Sequence, residues 1–226
     1  MSTLKTDSNI HHRKQIRLKE YDYSMPGEYF VTICTKEHIH SFGEIVNEEM
    51  NLNIIGEIAD KCWKELPAHF LNVELDEFVV MPNHIHRIVC ILENPGRDVQ
   101  MNIPTDNYYS RISPKRGSLG LIIRGYKAAV TTPCRKNGIH AFNWQSGYFE
   151  HIIRDEKSLI RIRDYIATNP QRWWFDKENA QQKDYDEFEQ WIVIQGQKTI
   201  RIMKMFLVRF FMPQKFSGSA LSFENV

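Results

Sequence analysis

The chain reads as an α+β protein, a ferredoxin-like sandwich whose antiparallel sheet carries helices on one face, among them the helix that bears Tyr165. Three observations predict this. Glu28 to Thr35 is an aromatic and β-branched run behind Pro26-Gly27, which signals a strand. Leu52 to Leu66 repeats apolar residues at helical spacing. Val73 to Leu92 is a long apolar run interrupted at Pro82-Asn83. Strand, helix, then an antiparallel pair opens such a sandwich.

Along the first helix, Leu52, Ile55, Ile58, Ala59, Cys62, Trp63 and Leu66 share a face, and Pro67 stops the pattern. Val73 to Met81 is a second strand, and His84 to Leu92 is a third strand or the continuation of the second. Glu93 to Arg116 holds Pro, Gly, Asn, Asp and Ser without an apolar period, so it reads as a long loop, functional or disordered. Ser118 caps a helix to about Thr132, with Leu121, Ile122, Tyr126, Ala129 and Val130 as core candidates and Arg124 and Lys127 on its polar side. Phe142 to Ile153 reads as a turn and a strand. Asp155 then caps a helix through Asn169, ended by Pro170, with Leu159, Ile162 and Ile166 on its core stripe. This divides the chain into a basic arm over 1–26, a core domain over 27–176 and an extension over 177–226. The stretch Ile202 to Met212 fits neither period.

With 42% hydrophobic and 25% charged residues, the composition is that of an ordinary soluble protein. The formal charge of +1 gives no global signature of nucleic-acid binding, so any such surface must come from local clustering. Four cysteines with no CxxC pair argue against a zinc ribbon or a disulfide scaffold and read as reduced. No apolar run approaches the roughly 20 residues of a membrane span, and the first 19 residues lack the apolar core of a signal peptide. A cytoplasmic protein with no membrane partner is expected.

The densest chemistry lies in Met81-Pro82-Asn83-His84-Ile85-His86-Arg87-Ile88-Val89. Alternation on a strand turns His84 and His86 to one face, and burying two imidazoles there costs free energy unless they find partners or a ligand. A His-x-His pair alone also marks many solvated strand faces. His38-Ile39-His40 repeats the spacing but reads as a polar turn, with no apolar run on both sides. Tyr165 and Asn169 sit at i and i+4 on the last helix and so share a face. Two imidazoles and an amide oxygen would make a three-ligand divalent site with open positions, and a phenol one turn before the amide would stand beside it. A neighbouring cation favours a phenolate, so the set has the logic of a nuclease that forms a phosphotyrosine link. Tyr165 is also a natural core aromatic of an amphipathic helix.

Four segments occur together and in order: Pro82-Asn83-His84-Ile85-His86; Ile122 to Thr131; Trp144-Gln145 with Tyr148 to Arg154; and Arg163-Asp164-Tyr165-Ile166-Ala167-Thr168-Asn169-Pro170. In these the chain resembles the REP-associated tyrosine transposases, a branch of the HUH single-tyrosine transposases, over about Gly27 to Trp174. The resemblance implies a ferredoxin-like fold that cuts and rejoins single-stranded DNA near palindromic hairpins. It implies Mg or Mn held by His84, His86 and Asn169. It implies Tyr165 as the nucleophile that keeps the 5′-phosphate and releases a 3′-hydroxyl.

DNA contacts are expected from Arg116, Arg124 and Lys127, from Trp144 as a stacking platform, and from Arg13 and Lys14 on the N-terminal arm. Packing for Trp144, and solvation for the basic residues, are the competing roles. The alternative to a transposase is a domesticated hairpin-binding protein with little or no cleavage. A hydrolytic phosphodiesterase is a further reading, and a zinc hydrolase the weakest. The resemblance is compatible with a monomer or a homodimer and with association with the nucleoid.

Overall fold

The structure, a computed structural model, describes residues 21–93, 115, 117–182 and 186–196. Arg13, Lys14, Arg116 and the stretch Ile202 to Met212 lie outside the described residues. In chain order the elements are β1 (Gly27–Cys34), a 3-10 turn (Lys36–His38), β2 (Gly43–Val46), β3 (Glu49–Leu52), α1 (Ile54–Lys64), α2 (Leu66–His69), β4 (Val73–Val80) and β5 (His84–Ile91). Then come α3 (Leu119–Lys136), β6 (Phe149–Ile153), α4 (Glu156–Thr168), a 3-10 turn (Trp173–Phe175) and α5 over 187–196.

The main sheet has the order β4-β5-β1-β6 with antiparallel neighbours throughout. Taking β1, α1, β4, β5, α3 and β6 as the repeating unit gives the ferredoxin-like arrangement. Strand alternation then decides what each face holds. Tyr29, Val31 and Ile33 of β1, with Ile85 and Val89 of β5, meet Ala59 and Trp63 of α1 and Ile122, Tyr126 and Val130 of α3. Phe30 and Ile88 point the other way, onto Leu159, Ile162, Tyr165 and Ile166 of α4 and onto Phe188 and Ile192 of α5. The expectation of helices on one face therefore needs a correction: α1 and α3 share one face, and the helix of Tyr165 takes the other. Its apolar stripe has Phe30 and Ile88 to bury, and these cannot turn toward α1 and α3.

Boundaries moved where local chemistry overrode the period. Pro67 does not end the helical path but sits in the first turn of α2, where a missing N–H costs nothing. The hairpin of β2 and β3 was not anticipated, because its turn is Asn47-Glu48, both at positive φ, and glutamate is no signal for such a turn. Asn53 caps α1 through Ile55 N and Gly56 N. Gly56 is required there, since a Cβ would stand 2.2 Å from the Phe42 carbonyl oxygen. Asp155 caps α4, accepting from Ser158 N at 2.9 Å. A bulge in β4 between Leu75 and Phe78 frees Asp76 to take Arg163 of α4 in a fork, Nε to Oδ1 at 3.0 Å and a terminal nitrogen to Oδ2 at 2.6 Å.

Arg87, between the two faces' requirements, enters the α1–α3 side fully buried. Its guanidinium lies 4.3 Å from the Trp63 ring and 3.9 Å from the Tyr126 ring, and its nitrogens make no well-formed hydrogen bond among the described residues. Burial holds its pKa below the usual arginine range. The cost of desolvating a charge, several kcal/mol, is roughly offset by two cation–π faces of about 1–2 kcal/mol each. Arg87→Met should therefore be neutral or stabilising by about 1 kcal/mol, whereas Arg87→Ala should cost about 3 kcal/mol for its cavity, as read from urea midpoints. A large loss in the Met variant would show that the charge itself is needed.

Candidate metal centre and its buried tyrosine

β5 and β1 are the two central strands, and their register sets Thr32 opposite His86 and Cys34 opposite His84. Both histidines are fully buried. The tight connection Met81–His84, closed by Met81 N donating to His84 O at 2.8 Å, presents Asn83 beside His84. His84 Nδ1 lies 2.8 Å from Asn83 Oδ1. An amide oxygen only accepts, so Nδ1 carries the proton and Nε2 is left as a lone pair facing inward. Thr32 Oγ1 holds His86 Nδ1 at 2.9 Å. Trp173 stacks along His84 and Phe30 along His86, walling the rings.

The two Nε2 atoms stand 2.9 Å apart. Asp176 Oδ2 lies 3.6 Å from each of them, and the three side chains form a set whose ligand atoms lie within 4.8 Å of one another. Two ligands held cis at about 2.1 Å from one hard cation stand about 3 Å apart, which matches the imidazole pair. Asn169 is fully buried at the end of α4, with Nδ2 donating to Asp176 Oδ2 at 3.2 Å and with Oδ1 lacking any hydrogen-bond partner among the described residues. A buried orphan acceptor beside a carboxylate and two buried imidazoles fits a divalent cation. Tyr165 completes the cluster: its hydroxyl is 3.2 Å from His86 Nε2, 3.4 Å from Asp176 Oδ2 and 3.0 Å from Glu189 Oε1.

The electrostatics follow from burial. It pushes His84 down to about 3 and His86 in the same direction, so both are neutral at pH 7, as metal binding requires. Asp176 is held far below the usual carboxylate range: burial works against it, but His84 and His86 prevail. Burial, then the charges of Asp176 and Glu189, push the Tyr165 phenol well above its ordinary value. Glu189 is itself pushed up by burial, against the pull of Lys177, whose ammonium is bonded to its other oxygen.

Thus the structure brings His84, His86, Tyr165 and Asn169 to one point and adds Asp176 and Glu189, which sequence reasoning passed over. The one local signal for Asp176 was an acid closing the aromatic run Trp173-Trp174-Phe175. Glu189 had none, being one acid in a polar stretch. Tyr165 is 1% exposed, because Phe188 of α5 stacks on it at 3.7 Å with a 9° interplanar angle. From the segment after 176, Phe188 and Glu189 touch Tyr165, and Lys177 bonds Glu189.

The expected DNA contacts scatter. Arg124 is exposed on α3. Lys127 donates to Gln145 O at 2.8 Å and Gly147 O at 2.6 Å, and burial lowers its pKa to about 8. Trp144 donates to Lys127 O at 3.1 Å and packs among Phe42, Tyr126 and Phe142. Both hold the 144–147 loop to α3.

One prediction concerns acid. Burial lowers His151 on β6 to about 4. The unfolded chain takes up a proton that the folded chain refuses, so stability is whole above about pH 6.5 and falls as pH drops toward 4. In chelator, urea unfolding at pH 5 should show a loss relative to pH 7.5 that shrinks by about 1–2 kcal/mol in His151→Gln. An unchanged slope would place the proton uptake elsewhere.

Fold and site together define a ferredoxin-like α+β protein with a buried imidazole–carboxylate centre beside a tyrosine. Within that class the chain is 43% identical over 178 residues to a Haemophilus influenzae protein described as "Uncharacterized protein", covering 77% of this chain and 97% of that one, and it belongs to the same family. It is also 26% identical over 160 residues to a "Putative REP-associated tyrosine transposase" of the same organism, covering 66% of this chain and 73% of that one. Two solved structures are similar: a REP-associated tyrosine transposase bound to a REP hairpin, with TM-score 0.44, 20% identity and coverage of 70% and 73%; and a Deinococcus radiodurans "putative transposase", with TM-score 0.30, 19% identity and coverage of 67% and 95%. No family model matches the chain. No helix among the described residues is long and apolar enough to cross a membrane.

Proposed function

We propose that the chain is a divalent-metal-dependent single-stranded DNA endonuclease and strand transferase, a transposase acting near palindromic hairpins through a 5′-phosphotyrosine intermediate. The observation that carries this is the Tyr165 hydroxyl 3.2 Å from His86 Nε2, inside the set of His84, His86 and Asp176. The 26%-identical relative named for such a transposase supports the same reading.

His84, His86 and Asp176, with Asn169 Oδ1, would hold Mg or Mn, which when bound polarises the phosphoryl group and favours the phenolate. Tyr165 Oη forms a bond to phosphorus as the bond to the 3′-oxygen breaks, and the 3′-oxygen leaves as a hydroxyl by taking a proton from solvent. With α5 docked, Glu189 Oε1, the acceptor at 3.0 Å, is placed to take the phenol's proton; with α5 shifted, solvent takes it. Rejoining runs these steps in reverse, so bond energy is conserved and no nucleotide is consumed.

Asp176→Asn, which keeps shape and removes charge, should weaken Mn²⁺ binding at least about tenfold and depress covalent adduct formation on hairpin-bearing single strands with Mn²⁺ or Mg²⁺. Adduct at the wild-type rate in excess chelator would sink the metal role. The seat of Phe188 on Tyr165 favours a second reading, a hairpin-binding protein with little cleavage. Hairpin binding that persists in chelator, with no adduct on any hairpin tested, would select it.

A further inference from the structure

The motif His38-Ile39-His40, unused by the reading above, ends beside β1 in a second ligand cluster. Cys34, His38 and Glu178 bring one ligand atom each to within 4.8 Å of one another. His38 Nδ1 lies 3.1 Å from Glu178 Oε2, with the histidine side chain 31% exposed and the glutamate 13%. Cys34 is buried at the end of its strand.

The backbone around the cluster is tightly specified. Glu37 and His38 both adopt positive φ, at 57° and 53°, a conformation that costs free energy for such residues unless the surroundings hold it. Here Thr35 Oγ1 donates to Ile39 O at 2.8 Å, and Asn83 Nδ2 reaches His38 O at 3.2 Å and Glu178 O at 2.7 Å. Asn83 thus ties two of the three candidate ligands, and its other amide atom orients His84. In the comparable cluster of Glu28, Asp76 and Cys90, Asp76 is already forked onto Arg163.

We propose that Cys34, His38 and Glu178 form a second metal site, distinct in chemistry from the histidine–aspartate centre. Thiolate, imidazole and carboxylate are the ligand set of a borderline-soft cation of the zinc type, with the fourth position open to water on the exposed side of His38. On binding, the Cys34 Sγ–H proton leaves to solvent and sulfur bonds to the metal as thiolate, while His38 offers Nδ1 and keeps its proton on Nε2. The ion then clamps segment 176–178, and Asp176 with it, to the end of β1. This proposal does not depend on the DNA chemistry proposed above.

The test is titration of the full-length, chelator-stripped protein with Co²⁺ and Zn²⁺. Wild type should show a near-ultraviolet thiolate-to-cobalt band that Zn²⁺ displaces. The band should survive in the His84→Ala/His86→Ala variant and vanish in Cys34→Ser. His38→Asn, which tolerates positive φ and alters only a partly exposed side chain, should bind Zn²⁺ at least about tenfold more weakly while its metal-free melting stays as in wild type. Absence of a thiolate band in wild type, or a spectrum and stoichiometry unchanged in Cys34→Ser, would overturn the proposal. So would unchanged Zn²⁺ affinity in His38→Asn.

Discussion

Tyr165→Phe should abolish the covalent protein–DNA adduct, by at least about 10³-fold, while leaving the protein folded. The substitution removes one oxygen. The ring keeps its stack on Phe188 at 3.7 Å and its place among Phe30 and Ile88. What is lost is the hydroxyl's contacts with Glu189, His86 and Asp176, with a net stability effect of about 1 kcal/mol, and Glu189 retains Lys177. Denaturing gels of labelled hairpin strands with Mn²⁺, read beside thermal melts, check both halves. An adduct formed as fast by the Phe variant would remove Tyr165 as nucleophile. Strand cleavage without any adduct in wild type would instead point to hydrolysis by water.

The second large effect is expected at the cover. With Tyr165 at 1% exposure, a phosphodiester reaches the phenol only if α5 shifts. Phe188→Ala removes the stacked ring and should cost about 3–4 kcal/mol of local stability, borne by the docking of α5. Because the closed state is the one penalised, adduct formation should rise severalfold even as melting temperature falls. Trp191, which packs on Phe188 and Arg161, should behave likewise but more weakly. If adduct yield instead falls in step with stability, α5 and Glu189 belong to the competent site, and the helix is a wall rather than a cover. A Glu189→Gln variant separates these cases: its loss of rate with α5 still docked would identify proton acceptance at that carboxylate.

Much of this candidate site is legible in the sequence alone. A two-residue period placed His84 and His86 on one face, and a four-residue step placed Tyr165 above Asn169 on a helix capped by Asp155. Both are local rules that hold wherever a strand or helix forms. The less legible parts failed for identifiable reasons. The β2–β3 hairpin turns on Asn47-Glu48, where glutamate at positive φ gives no warning. Trp144 and Lys127 are DNA-contact candidates by type; in the fold the indole also packs in an aromatic cluster and the ammonium bonds two carbonyls, contacts that no spacing rule announces.

Asp176 and Glu189 show where sequence reasoning stopped. Asp176 lies 92 positions after His84 along the chain and Glu189 lies 24 after Tyr165, separations at which no periodicity operates. They are recruited because the 3-10 turn Trp173–Phe175 folds back to wall His84, and because α5 buries Phe188 and Ile192 on the same apolar strip as α4. By itself the sequence determined the α+β class, the strand that presents the imidazoles and the helix that presents the phenol, since these rest on spacing between near neighbours. Only tertiary structure decided that the tyrosine helix lies opposite α1 and α3, that a carboxylate joins the histidines, and that α5 covers the phenol. Those outcomes depend on which apolar faces remain to be buried once the sheet has formed.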